Sequence, residues 1–560
     1  MLNRSAIINK LKSQPEIQVL IVGGGINGIG TLRDLALNGV EALLIDKGDY
    51  CSGASSASSH MAHGGIRYLE NGEFRLVQEA VRERNRMIEN APHRVQPLPT
   101  TVPMFKTFSG LLSAPLKFIN LLDRPSERGA LVIKIGLMVY DSYTRKQKTV
   151  PRHQFYFRAD SMRMYPKLNP AVKYTATYFD GQILSPERYS IDLIRDASAE
   201  GDHAMALNYA RAVSANGNEV VIKDEITGES FLVKPKVIIN AAGPWIDLVN
   251  DSLGVKERYI GGTKGSHLVL DVPELREAIG DHEFFFENKD GRIVLIFPFY
   301  DKVIVGTSDL PVNQVDDVTC SEEEEQYFID LVSRIFPSIR IHRENIIFKF
   351  SGVRPLEYSK AKTTGQITRD HSIKYDSVGE IPVLSLVGGK WTSYRAFSAQ
   401  VCDETLKLLG MTRIKGTEEL KVTGGENYPN NAAEKTALFK RISDETGFSE
   451  EYAEALFVRY GTAAIEIARQ SKEISPSQLA SVPNWTLGEV VWLIQHENVL
   501  HLEDLFIRRS SIAWLGQLSK AALFEFGAIL SKELNWDEDT KAKEIELASD
   551  IMVKKHGVRL

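Results

Sequence analysis

Glycines 23, 25 and 28 are the first residues of this 560-residue chain whose spacing implies chemistry. They sit in "IQVLIVGGGINGIG", after an apolar run that reads as a strand and before a segment with helical spacing. In such a turn Gly23 permits a sharp reversal and Gly25 lets backbone approach a pyrophosphate. Gly28 lets the helix pack closely, with its first amides, from Asn27 on, facing the phosphates. Asp46 follows 18 residues after Gly28, at the end of a second apolar run, with Lys47 next to it. Its carboxylate suits the diol of a ribose. A ligand-free glycine turn is the bland alternative. Strand, helix and acid together favour a bound dinucleotide.

A second group lies in "SGASSASSHMAHGGIRY". The small residues from Ser52 to Ser59 leave backbone bare, and Ser55, Ser56 and Ser59 are candidate cofactor contacts. His60, His63, Gly64 and Gly65 follow, and then Arg67 and Tyr68. His60 and His63 form an HxxH pair, but no nearby Cys or carboxylate completes a ligand set, so no metal is expected. Two later strands also end in glycine. "VIINAAGPWID" supplies Ala242 and Gly243, and "LVGGKWTSYR" supplies Gly389, Lys390 and Thr392. Singly these are ordinary strand ends. Three glycine-terminated strands suit a dinucleotide wrapped by much of the chain, which favours FAD over NAD.

The elements that position these residues follow from pattern. "IQVLIV" and "EALLID" are short apolar runs of the kind buried on both faces of a sheet. Leu32, Leu35 and Ala36 keep helical spacing up to Gly39. Segments such as "GRIVLIFPFYDKVIVGTSD" are β-rich. After about residue 411 the periodicity becomes helical without β-branched runs. The expected fold from pattern is α/β: a Rossmann-type dinucleotide-binding domain, a β-rich domain and a C-terminal helical domain. The expected boundaries are 1–90, 155–262 and 365–410 for the first, 91–154 and 263–364 for the second, and 411–560 for the third. A net charge of -6 and a pI near 6.1 argue against nucleic acid as a partner. Three scattered cysteines without a CxxC pair, and no signal-peptide pattern at the N-terminus, favour the cytoplasm.

Several motifs together resemble the FAD-dependent glycerol-3-phosphate dehydrogenases and oxidases. They are "SSASSHMAHGGIRYLENGEFRLVQEAVRER", "INAAGPWID", "TKGSHLVL", "VGTSD", "SGVRPL", "TRDH" and "GGKWTSYR". "YGT" at 460–462 and "EDLFIRRSSIAWLG" are similar to that family's helical cap. The resemblance implies a glutathione-reductase-like FAD-binding domain with the β-rich domain as substrate domain over the flavin. It also implies oxidation of sn-glycerol 3-phosphate to dihydroxyacetone phosphate, with hydride passing to flavin N5 and electrons then to a quinone. That chemistry needs a held phosphate, a C–H aimed at the flavin and a proton acceptor. Arg67, Arg354 and Arg369 are the candidates for the phosphate, because a guanidinium donates two hydrogen bonds and stays charged. Lys390 adds a point charge, Tyr68 a donor, and Thr307 and His63 line the pocket. His267 is the favoured base, as a neutral imidazole near pH 7; Arg354 polarising the hydroxyl stays open as an alternative. His60 stands where relatives are expected to carry Lys. A tolerated polar swap is the preferred reading, and covalent attachment of FAD through His60 is the sharper one.

Within the stretch 103–141, "FSGLLSAPLKFINLL" is apolar with a single Lys, and Lys106, Lys117, Arg124, Arg128 and Lys134 flank or interrupt the apolar pieces. Such a segment either lies in a lipid headgroup layer or packs internally. Peripheral contact with the inner face of the cytoplasmic membrane, and with its quinone pool, is therefore an open expectation. A homodimer is equally open. Three readings compete with a dehydrogenase. One is an oxidase that reduces O2 to H2O2. Another is a hydroxy- or amino-acid oxidoreductase on the same fold, against which three arginines and a lysine argue for phosphate. The third is a flavin-binding protein without turnover.

Overall fold

The computed structural model describes residues 3–66, 73–107, 130–144, 149–288, 292–312, 314–358 and 370–560. Its first sheet has strand order Ser372–Val378, Ile381–Val387, Ser230–Asn240, Glu16–Val22, Ala42–Ile45, Ala204–Leu207. The last five run parallel. The inner strands are apolar on both faces because both are covered: helices Ile26–Leu37, Pro186–Ala199 and Tyr394–Leu408 pack on one, and helix Arg4–Ser13 with strands Ala210–Asn216 and Glu219–Asp224 on the other. Helix Ile26–Leu37 is almost wholly buried, between helices Pro186–Ala199 and Tyr394–Leu408. Register decides function here. Val22 lies opposite Asn240, and Asn240 opposite Ser385, so the three glycine-terminated strands finish side by side at the carboxyl edge of the sheet. A crevice at that edge is where such sheets bind nucleotides.

The second sheet has ten strands, with Ile260–Leu270 near one end. That strand pairs antiparallel with Lys302–Gly306 and with Ile346–Glu357. His267 is thereby opposite both Gly306 and Phe350, and Thr263 opposite Arg354. Tyr174–Ile183 and Gln154–Phe157, inside the 155–262 stretch, also belong to this sheet, as does Met61–Ala62. Strand partners are chosen by backbone pairing across the fold, which composition does not reveal.

The chain after 431 is helical. Its apolar core is continuous with the second sheet: Val269, Phe297, Phe299, Phe348 and Phe350 pack in one cluster with Leu456, Trp492, Phe506 and Trp514. Among the described residues, no helix is long and apolar enough to cross a membrane.

Candidate functional site

The glycine turn is shaped by contacts that exclude any side chain. A Cβ on Gly28 would lie 2.0 Å from the Gly23 carbonyl oxygen, and one on Gly23 would lie 2.5 Å from that of Ala241. Gly23 also sits at φ 117°, a region that L residues rarely adopt. Gly25 caps helix Ile26–Leu37 without a side-chain hydrogen bond, so the first-turn amides point into the crevice. One of them, Ile26 N–H, donates to Ser55 Oγ at 3.0 Å. Asp46 accepts from Gly24 N–H at 2.6 Å and Gly48 N–H at 2.9 Å. Burial raises its pKa to about 6, against the lowering effect of those two amides. Asn27 Oδ1 is buried with no hydrogen-bond partner among the described residues. This acceptor beside the first turn of the helix is a cradle suited to a dinucleotide. Lys47 is turned aside: it pairs with Asp316 at 2.9 Å and stacks over Trp245.

The third strand end completes the cradle. Gly388 and Gly389 both have positive φ, and a Cβ on Gly388 would meet the Asp370 carbonyl oxygen at 2.6 Å. Lys390 leads into the turn Trp391–Ser393. Trp391 Nε1–H donates to the Ser55 carbonyl at 2.8 Å, and Thr392 Oγ1 accepts from His63 N–H at 3.0 Å. The small-residue loop is therefore tied to this strand end as well as to the nucleotide helix. Ala242 N–H donates to Asn240 Oδ1 and Gly243 has φ 58°, which turns the neighbouring strand end outward. Ser56 Oγ caps its own loop through the Gly53 carbonyl.

Gly64 has a different reason to be glycine. A Cβ there would lie 1.9 Å from the Tyr140 hydroxyl. Its amide donates to Asp180 Oδ1 at 2.8 Å, and that carboxylate also accepts from Tyr140 Oη at 2.9 Å. Arg84, fully buried, donates to Tyr140 Oη at 2.6 Å. Gly65 follows at φ 72°. Arg67, Tyr68 and Arg369 lie outside the described residues.

On the other side of the loop, Ser59 Oγ is 2.9 Å from His267 Nε2. The His267 ring stacks on Phe350, with centroids 4.7 Å apart. Burial, with Arg354 and His60 nearby, drives its pKa well below 6.5, so the ring is neutral, and Nδ1 has no hydrogen-bond partner among the described residues. Gly306 is small because a Cβ there would strike this ring at 2.0 Å. Arg354 donates to Thr307 Oγ1 at 2.8 Å, to the Ser308 carbonyl at 3.1 Å and to Asp309 at 3.2 Å. Gly265 leaves room for its guanidinium, 2.2 Å from where a Cβ would be. Neutral imidazole, guanidinium and hydroxyl thus share one wall.

His60 lies among aromatic rings. It is 1% exposed, at φ 54°, and its ring is surrounded by Phe299, Phe350 and Trp514 at 5.4–6.1 Å. Burial lowers its pKa to about 4.

Sequence reasoning missed Glu324. It accepts from Ser266 Oγ at 2.8 Å, Ser308 Oγ at 2.6 Å and Lys264 Nζ at 2.7 Å. It thereby fixes the residues next to His267 and Thr307. The available signal was the capping box in "SEEEE", where Ser321 and Glu324 bond reciprocally.

A glycine cradle at parallel strand ends beside a β-rich wall defines a flavin-type oxidoreductase, and the comparisons agree. Residues 18–379 match the family described as FAD dependent oxidoreductase, and the chain belongs to it. Residues 415–541 match the C-terminal domain of alpha-glycerophosphate oxidase. The glycerol-3-phosphate dehydrogenase of a Synechocystis species is 32% identical, covering 97% of this chain and 98% of its own. The aerobic glycerol-3-phosphate dehydrogenase of Staphylococcus saprophyticus is 27% identical over 98% and 97%. The solved structure of a Bacillus halodurans glycerol-3-phosphate dehydrogenase complexed with FAD superimposes with a TM-score of 0.76 at 21% identity. It covers 99% of this chain and 97% of that one.

Proposed function

We propose that this protein binds FAD and oxidises sn-glycerol 3-phosphate to dihydroxyacetone phosphate. The observation that carries the reading is one loop with two anchors. Ser55 bonds the first turn of the nucleotide helix and Ser59 bonds His267. Four residues span at most about 14 Å, so the His267–Arg354 wall lies within reach of the cradle. The names of relatives matching nearly the whole chain support the same substrate.

FAD, when bound, supplies the two-electron acceptor for the C2 carbon. Gly23, Gly25, Asn27, Gly28 and Asp46 hold its pyrophosphate and ribose in this reading, and Ala242, Gly243, Gly389, Lys390 and Thr392 border the rest. Arg354, with Arg67, Arg369 and Lys390, grips the phosphate. His267 takes the hydroxyl proton. A ring held neutral by burial is a weak base alone, and an adjacent phosphate dianion raises its pKa by favouring the charged form. His63, Tyr68 and Thr307 line the pocket. We assign His60 to packing; release of all flavin on acid precipitation is the expected result. Residues 411–560 are read as a cap, and the first two domains keep the boundaries given above, apart from the strands that join the second sheet.

The proposed acceptor is a quinone, reached by peripheral contact with the cytoplasmic membrane. Helix Ala130–Thr144 supports contact, because Leu131, Ile135 and Met138 are 39–58% exposed on it. Residues 108–122 lie outside the described residues; their deletion is expected to release the protein from membranes. Peroxide production rather than dye reduction would favour O2 as acceptor.

Anaerobic addition of glycerol 3-phosphate is the deciding experiment. Flavin absorbance near its visible maximum should bleach. A colourless protein that refuses FAD, or a yellow one left unbleached, overturns the reading.

A further inference from the structure

We propose that the C-terminal helical domain braces the adenosine end of the cofactor site, with Arg508 and Arg509 acting as positioning residues through Asp49. The inference rests on the FAD reading and gives the cap a task within it.

Asp49 is fully buried and belongs to the turn that follows Asp46. Its Oδ2 accepts from Arg508 Nε and Arg509 Nη1, each at 2.6 Å. Its Oδ1 accepts from Arg509 Nη2 at 2.9 Å and Asn208 Nδ2 at 2.8 Å. Both arginines come from Asp504–Arg509, a turn of π-helix, a form that recurs at functional positions. Arg509 also donates to the Glu497 carbonyl, and Arg508 to Glu503 and Asp504. Asn498 Nδ2 donates to Tyr50 Oη at 3.1 Å and Tyr209 Oη to Asp504 at 2.7 Å. Burial pushes the Asp49 carboxyl up, but Arg509 and Arg508 outweigh it, and it stays ionised.

The same turn is bonded to the glycine motif. Cys51 N–H donates to the Gly24 carbonyl at 2.8 Å, and a Cβ on Gly24 would be 3.1 Å from the Tyr50 ring. Gly24 and Gly48 amides hold the Asp46 carboxylate, whose remaining lone pairs face the crevice's ribose position in our reading. Cap, Asp49, Tyr50, Gly24 and Asp46 form one chain of contacts. Breaking it at the cap end leaves a buried charge unpaired and frees the turn.

The test titrates full-length apoprotein with FAD and follows flavin fluorescence, alongside the melting temperature. Asp49→Asn and Arg509→Lys are expected to weaken FAD binding by about tenfold or more. Glu489→Gln is the control, because Glu489 bonds Tyr452, Arg459 and Tyr460 entirely within the cap. It should lower the melting temperature and leave FAD affinity within about twofold of wild type. Should the Asp49 and Arg509 variants fail to fold, Tyr50→Phe and Asn498→Ala are expected to shift FAD affinity the same way by a smaller factor. Unchanged affinity in the folded variants, or an equal loss in Glu489→Gln, overturns the brace. Wild-type protein that binds no FAD overturns the functional reading instead.

Discussion

The two walls of the crevice are built from opposite materials. The cradle around Gly23, Gly28, Ala241 and Gly388 is backbone, and its shape is the absence of side chains. The wall around His267, Thr307 and Arg354 is side chain, drawn from two strands and the residue just after a third, and held by Glu324. A backbone site has no room for one added methyl, because the atoms it would strike are carbonyls fixed by the sheet. A side-chain site tolerates conservative change in volume and fails when charge or aim changes. The glycines within the second wall follow the second rule: Gly265 and Gly306 are small for the sake of Arg354 and His267.

The contrast sets the order of expected effects. Gly28→Ala places a carbon 2.0 Å from a backbone oxygen, and FAD affinity should fall by about 100-fold or more, measured by titrating apoprotein. A fully yellow Ala variant would show that the cradle is not fixed backbone. Arg354→Lys keeps the charge and loses the fork that reaches Thr307 and Asp309. The expected loss in kcat/KM for glycerol 3-phosphate is about 10²-fold, with FAD content unchanged. Glu324→Gln reaches the wall only through Ser266, Ser308 and Lys264, so about tenfold in kcat is expected, again with full flavin. Loss of flavin in that variant would erase the distinction between the walls.

The smallest effect is one of pH. Burial raises the Glu187 and Glu283 carboxyls to about 8, above an unfolded value of 4.5. Their contribution to stability is complete below about 4.5 and is lost as pH rises through 8. Burial lowers His60 and His556 to about 4, so their contribution is complete above 6.5 and lost as pH falls. The two sets oppose each other below 6.5, and the carboxyl loss stands alone from 6.5 to 8. The melting temperature should fall across that window, and Glu187→Gln should flatten the slope. An unchanged slope means that Glu187 is already ionised in the folded protein.

Much of this was legible in the chain. The glycine motif, Asp46 and the three glycine-terminated strands are local signals, and the sheet brings them to one edge as expected. The family resemblance carried by "KGSHLVL", "VGTSD" and "SGVRPL" pointed to His267, Thr307 and Arg354, and these three do meet. Other features were not legible, each for a physical reason. The Tyr140 hydroxyl fills the space a Gly64 Cβ would take, and that neighbour is 76 residues away. Lys47 bonds Asp316, 269 positions along the chain. The three aromatic rings around His60 come from residues 299, 350 and 514, far along the chain.

What the sequence determined alone is whatever depends on near neighbours: period, glycine placement, caps and the order of elements. Those are set by steric limits within a few residues of chain. The tertiary structure alone decided which strands pair and which charges meet. Asp49 finds Arg509 across 460 positions because both must leave water in the same place, and a buried charge is stable only beside its opposite.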